Sequence, residues 1–190
     1  MKFPSLSSSD DVAFDDYDEF VPAHIPEPGS HLAGHAILTG EDHVAFHELT
    51  RDLFDERGVY DMTFGYNLAR LNLDSRHTDA GYRYAESADE SGVLVAEFTP
   101  TTEFCPQSNT LAKGSFRAWN GLSDRHEYDL VRVRVDDMHH KAGIINAELE
   151  DHERRYVESG TLPGPNAGSG GADAGVPNEE GYDRDPDAPF

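Results

Sequence analysis

From about Val44 to Tyr156 the apolar residues recur at regular spacings, and outside that window they thin out. Thr39-Gly40-Glu41-Asp42 resembles a capping box opening a helix. Phe46, Leu49 and Leu53 follow at i, i+3 and i+7, which gives that helix one buried face, and Gly58 ends it. The stretch from Tyr60 to Asp74 is ambiguous between a short helix and irregular structure. Gly81-Tyr82-Arg83-Tyr84-Ala85-Glu86 and Val93-Leu94-Val95-Ala96-Glu97-Phe98 read as a hairpin joined through Asp89-Glu90-Ser91-Gly92. Leu111, Ser115, Trp119 and Leu122 then recur at helical spacing. Gly114 among them permits close packing but weakens the helix by about 1 kcal/mol relative to alanine. From Tyr128 to Val135, three valines alternate with Arg132 and Arg134, as a strand with one buried face requires. A last helix carries Ile145, Leu149, His152 and Tyr156 along one stripe. The order α-β-β-α-β-α predicts a small α+β domain, a short mixed sheet covered by helices.

The flanks read differently. Residues 1–38 mix Ser, Pro and Asp, a composition too poor in apolar surface to offset chain entropy, so this segment is expected to be mostly disordered. Phe14, Tyr17 and Phe20 within it are able to dock locally. Residues 159–190 are rich in Gly, Pro and Asp and are expected to form a solvated, disordered tail. The folded domain is therefore placed at residues 39–158. No internal repeat is visible.

Charge narrows the partners. Thirty-seven acidic residues against 15 basic ones give a net charge of −22, and only Lys2, Lys113 and Lys141 are lysines. Such a chain repels phosphate backbones and anionic membranes, so neither nucleic acid nor a membrane is an expected partner. A uniformly acidic, lysine-poor surface suits a salt-rich cytoplasm, where the Debye length falls to about 3 Å and self-repulsion is screened. A single cysteine argues against an oxidised, secreted scaffold. Met1 to Glu19 lacks the pattern of a signal peptide, and no apolar run is long enough to span a bilayer. A cytoplasmic location is the expectation.

The candidate chemistry centres on Cys105. Pro106 follows it and suits the first position of a helix, which places Cys105 near an N-cap where free amides and the helix dipole favour a thiolate. Thr99, Thr101 and Thr102 lie just upstream, with hydroxyls able to pair with exposed backbone in the loop. Cys105 is then either a reactive or metal-ligating thiol or a small buried hydrophobe. His139 and His140 fall between the last strand and last helix, and His152 lies on the apolar stripe. A zinc site from Cys105, His139 or His140, and His152 would need purely tertiary convergence, because no C-x2-C or H-x3-H pair is present. His139 is also a candidate hydrogen-bond partner of the cysteine loop. Asp151, Glu153, Arg154 and Arg155 form either a solvated helix face or a docking surface. No phosphate loop, HExxH, GxSxG or Walker signature appears.

The order of these features resembles the iron–sulfur cluster assembly (FSCA-like) domain family, which includes the cytosolic iron–sulfur targeting factors of eukaryotes and the bacterial SufT- and PaaD-like proteins. The resemblance runs from Val93 to Arg154. It rests on a strand leading into Thr99-Pro100-Thr101, with Cys105 four positions later, and then a helix with small residues Ala112, Gly114 and Ser115. The strand Leu130–Val135 follows, with His139 seven positions before Asn146, and Asn146-x-x-Leu149-x-Asp151-x-Glu153-Arg154 closes the set. It implies a small α+β domain that helps deliver or mature iron–sulfur clusters within a larger complex. Cys105 would be the functional thiol and metal ligand, supported by Thr99, Thr101, Thr102 and His139. Asn146, Asp151, Glu153 and Arg154 would form the partner-docking helix.

A conventional cluster takes four protein ligands, mostly thiolates, and this chain supplies one. The leading expectation is therefore a non-enzymatic assembly or transfer factor whose Cys105 contributes to a transient iron–sulfur cluster shared with another chain. That other chain would be a second copy in a homodimer, an iron–sulfur assembly protein or a client apoprotein. An interaction module of the same fold without cluster chemistry is one alternative. An enzyme with Cys105 as nucleophile and His139 as base is another.

Overall fold

The computed structural model describes residues 13–164. Along the chain run β1 (Ala36–Ile37), α1 (Gly40–Arg57), β2 (Tyr60–Asp61), β3 (Tyr66–Asn67), β4 (Gly81–Glu86), β5 (Val93–Thr99), α2 (Ser108–Gly121), β6 (Leu130–Val135) and α3 (Ala142–Ser159). The six expected elements are all present. The ambiguous stretch after α1 resolves into the two-residue ribbon β2–β3 and a 3-10 helix at Leu68–Leu73.

Four strands form one mixed sheet in the order β1-β4-β5-β6. β4 and β5 are the expected antiparallel hairpin, with Tyr82 opposite Phe98 and Tyr84 opposite Ala96. β6 lies parallel to β5, with Val93 level with Leu130, so the connection must cross over the sheet, and α2 supplies the crossover. Strand alternation then sorts the faces. Tyr82, Tyr84, Leu94, Ala96, Phe98, Val131, Val133 and Val135 join one core with Phe46, Leu53, Phe54, Phe116 and Trp119 of α1 and α2. Thr39 takes the N-cap position of α1 with extended backbone, although its hydroxyl makes no capping bond. Gly58 closes that helix at φ 67°, and the Val59 amide reaches the Phe54 carbonyl, as a left-handed helix stop requires.

The opposite face carries Arg83, Ala85, Val95, Glu97 and Arg134, and here residues 13–38 depart from the expected disorder. Among the described residues this segment is a strap across the sheet, with Ile25 and Leu32 buried and Leu32 packed on Ala85 and Val95. The cause is a polar residue in the middle of the sheet. Glu97 is almost fully buried, and its carboxylate accepts the amides of Gly29 (2.5 Å) and His31 (3.0 Å), while Arg83 donates to the Pro26 carbonyl (3.0 Å). A buried carboxylate needs such donors, and the strap brings them. Phe14, Tyr17 and Phe20 dock further along, against Tyr66, His47 and His43. The folded unit therefore begins by residue 13 rather than 39. At the other end it reaches past 158, since Leu162 packs on the core. The tails expected at residues 1–12 and 165–190 lie outside the described residues.

Three asparagines finish the sheet where no strand does. Each side-chain amide accepts from the N–H and donates to the C=O of one peptide-chain residue: Asn72 on Tyr82 (2.6 and 2.7 Å), Asn120 on Val131 (both 2.9 Å) and Asn146 on Val135 (2.7 and 2.9 Å). β1 spans only Ala85 and Glu86, so Asn72 takes over where it stops. Gly81 makes room for this, since a Cβ there would sit 2.3 Å from the Asn72 oxygen, and its φ is +121°. Asn120 and Asn146 hold the outer side of β6, an edge that would otherwise present unpaired backbone groups.

Candidate functional site

β5 ends at Thr99 and α2 begins at Ser108, so the loop between them carries the only thiol of the chain. The helix starts later than the position of Pro106 suggested. Its N-cap is Gln107, and Cys105 precedes that cap by two residues, in a turn of its own. The Cys105 amide donates to the Thr102 carbonyl (3.3 Å) and the Ser108 amide to the Cys105 carbonyl (3.4 Å). The Gln107 side chain points elsewhere, donating to Thr63 Oγ1 (2.7 Å) and accepting from the Met62 amide (3.0 Å).

Two histidines from the β6–α3 connection fasten this loop. His139 is buried, and its Nε2 donates to the Cys105 carbonyl (3.0 Å). The Lys141 amide donates to Nδ1 of the same ring (3.2 Å), which fixes the tautomer and leaves no nitrogen free. His140 does the same for Glu103, whose carbonyl accepts both its backbone amide (3.0 Å) and its Nδ1–H (2.7 Å). His139 thus reaches the cysteine loop through the Cys105 carbonyl and not through the sulfur.

Cys105 itself is half-buried at the edge of a cleft of about 350 Å³ between the start of α2 and the first turns of α3. Asn109, Lys141, Ile144 and Glu148 line it as well. Lys113, nearly buried, holds Glu148 through an ion pair at 2.5 Å, and Asn109 Nδ2 donates to the same carboxylate (3.1 Å). The Lys113 bond, ahead of the Asn109 contact, keeps the Glu148 carboxyl below its ordinary range despite partial burial. The Asn109 Oδ1 is buried with no hydrogen-bond partner among the described residues. Around this end several apolar side chains face water: Phe104 is 64% exposed, Ile144 63% and Met62 82%, with Met138 exposed beside His139.

The other expected site residues divide by location. Thr99 is buried and Thr101 half-buried, and Thr102 contributes its carbonyl to the loop turn. Asn146 is buried, and both ends of its amide are committed to Val135. Glu153 is likewise taken up internally, accepting from Arg132 (2.8 Å) and Arg134 (2.9 Å) and so clamping α3 to β6. Only Asp151 and Arg154 remain on the solvent side, ion-paired to each other one turn apart. His152 is buried, and its ring is held below its usual value by burial first and then by the charges of Lys113, Arg155 and Arg117. The three-residue zinc site is not assembled. Among the described residues no three His, Cys, Asp or Glu side chains gather into a metal-holding group.

Sequence reasoning passed over Asn109, Lys113, Glu148, Phe104 and Ile144. One signal was available. In a chain with three lysines, Lys113 stands in the middle of a helix among Leu111, Ala112 and Phe116, where a cation needs a partner carboxylate.

A family model described as "Domain of unknown function (DUF7998)" matches residues 12–163, a span that takes in the strap, the sheet and α3. No curated protein matches the chain, and no solved structure does. Among the described residues no helix is long and apolar enough to cross a membrane.

Proposed function

The chain belongs to this family of unassigned function (DUF7998), and from that premise we propose that it is a non-enzymatic docking module whose working face is the Cys105 end. The observation that carries the reading is a set of water-exposed apolar side chains near a half-buried thiol: Ile144 lines its cleft, Phe104 packs on the His140 that lines it, and Met138 adjoins His139. Large apolar groups left in water around one cleft mark an interaction surface. The loop bearing Phe104 is fastened by His139 and His140 to the connection bearing Met138, and Ile144 stands on α3, so little order has to be gained on binding. The partner that fits is a protein segment with apolar side chains for the rim and a backbone or side-chain donor for the orphaned Asn109 oxygen.

The test compares tagged proteins recovered from their host at native salt. Wild type and a Val157→Asp control, altered at an exposed apolar residue toward the far end of α3, should retain the same identified partner. Phe104→Asp combined with Ile144→Asp should lose it while the melting temperature stays unchanged. Retention by the double variant would remove the proposal.

A second reading follows the family resemblance: the docked partner and Cys105 share an iron–sulfur cluster as cargo. Its support is that the thiol sits at an open cleft and is not sealed in the core, as a purely structural cysteine would be. The donor set does not fit a cluster within one chain, so the other ligands belong to the partner. Anaerobic treatment of the complex with iron and sulfide should give visible absorption that Cys105→Ala abolishes. Absence of that absorption disposes of the cluster and leaves the docking face standing.

A further inference from the structure

On the far side of α1 from the strap, a second cavity has a different chemistry. It measures about 280 Å³ and lies where the first turns of α1 meet the chain entering β6. Its walls fall into three sets. Leu38, Ala45 and Leu49 are aliphatic, Phe46, His126 and Tyr128 are rings, and Asp42, Glu86 and Glu127 are carboxylates. We propose that this cavity binds an organic cation on an aliphatic stem, an alkylammonium or alkylguanidinium group.

The rings are arranged as walls and not as a stack. Phe46 stands at 80° to Tyr128 with centroids 5.7 Å apart and at 67° to His126 at 6.4 Å, and His126 lies 6.0 Å from Tyr128. Several aromatic faces around one small space form the geometry that attracts ammonium and guanidinium groups. Both nitrogens of His126 are already engaged. Its Nε2 donates to the Trp119 carbonyl (3.0 Å) and its Nδ1 accepts the Tyr128 amide (3.2 Å), which fixes the ring as a wall.

The three carboxylates stand at exposed positions around the cavity. Acids drawn into the fold are met by cations or amides: Asp74 by Arg76, Glu148 by Lys113, Glu153 by Arg132 and Arg134, and Glu97 by the Gly29 and His31 amides. Among the described residues no lysine or arginine lines this cavity, and the Glu86 carboxylate receives the Tyr128 hydroxyl (3.2 Å). The field is felt by that hydroxyl, which burial and then the charges of Glu86, Glu127 and Asp42 push well above its ordinary value. A cation would relieve what the fold leaves uncompensated. The volume falls just below that of drug-sized pockets, which suits one charged head and a short stem, with Leu38, Ala45 and Leu49 as the stem's contact.

Trp119 is the only tryptophan of the chain and lies 6.2 Å from Phe46, so its emission reports on the cavity. Butylammonium and butylguanidinium are titrated in about 1 M KCl, where diffuse attraction to the acidic surface is screened to about 3 Å. A saturable change in emission is expected for wild type and for Glu158→Gln, a charge change on the surface of α3. Asp42→Asn combined with Glu127→Gln, both at exposed positions, should weaken binding at least tenfold with an unchanged melting temperature. Tetramethylammonium, which lacks the stem, should bind more weakly than butylammonium. N-acetyl-lysine amide separates the sources. If it binds alongside butylammonium, a lysine on a partner is an admissible occupant, and if only butylammonium binds, the occupant is a free amine; both results support the site. A response that never saturates, or that is equal in all variants, would mean counterion attraction alone and overturns it.

Discussion

Lowering the pH from 7 to 5 should remove about 4 kcal/mol of folding stability through two histidines of α1. His43 and His47 stack on each other at 5.5 Å, under Tyr84 and beneath the Phe20 and Tyr17 of the strap. Burial, then the nearby charges of His47 and Arg83, lowers His43 from 6.5 to about 3. Burial also lowers His47 to about 4, against the opposing bond from its ring to the Ala69 carbonyl. Well above pH 6.5 both rings are neutral in either state and contribute nothing to the pH dependence. Below it the unfolded chain takes up two protons that the folded chain refuses until pH about 4 and about 3, so stability falls across that window. At pH 5 each ring lies about 1.5 pH units below its unfolded value, worth about 2 kcal/mol apiece. The result depends little on the folded values, provided they stay well under 5.

His43→Leu isolates the effect. His43 makes no hydrogen bond among the described residues and its Nδ1 is buried and unpartnered, so leucine forfeits ring contacts but removes an unsatisfied nitrogen. Those terms roughly cancel, within about 1 kcal/mol, at pH 7. The loss between pH 7 and 5 should then be halved, by about 2 kcal/mol, in urea unfolding followed at both pH values in molar KCl. Other groups do not mimic the difference. Burial alone would raise Asp74, but the bonds from Arg76, His77 and Tyr66 outweigh it and hold it low, so its contribution is lost only at more acid pH. Glu97 is raised, chiefly by burial, and works in the opposite direction equally in both proteins. Identical pH dependence of His43→Leu and wild type would mean that the folded state accepts the proton and the burial argument is wrong.

Asn146→Ala should cost about 2–4 kcal/mol, because the Val135 amide and carbonyl at the sheet edge lose their only side-chain partner. Asp151→Ala, on the same helix but in solvent, should stay within about 0.5 kcal/mol; equal costs would restore Asn146 as a surface residue. Glu97→Gln turns one of two accepting oxygens into a donor facing the strap, so amide exchange at Gly29 and His31 should quicken while that of β5 and β6 does not. Unchanged exchange at those two amides would mean that the strap is held by Leu32 packing alone.

The long periodic elements were legible because their pattern is local. Phe46 and Leu53 lie on the buried side of α1 and Leu49 at its margin, and Val131, Val133 and Val135 face one way in β6 as alternation required. Proline, serine and aspartate made residues 13–38 look unable to fold alone, and alone that holds. What composition does not contain is Glu97, a residue 66 and 68 positions away whose buried carboxylate recruits two strap amides. β1 and the β2–β3 ribbon, at two residues each, are too short to show any period. At the site, the link between His139 and the cysteine loop was visible as an adjacency of candidates, but its use of the Cys105 carbonyl was not. The family resemblance likewise ranked Asn146 and Glu153 with Asp151, although hydrogen bonding and ion pairs to β6 turn the first two inward. Periodicity records which face is apolar and is silent on which polar residues are spent inside.

The docking face is tested most directly by the rate at which a maleimide alkylates Cys105 in the protein alone and in complex with the partner it co-purifies with. Covering of the cleft by that partner should slow the reaction at least tenfold, and Phe104→Asp with Ile144→Asp should restore the free rate. An unchanged rate in a fully formed complex would place the partner elsewhere on the molecule and contradict the assignment.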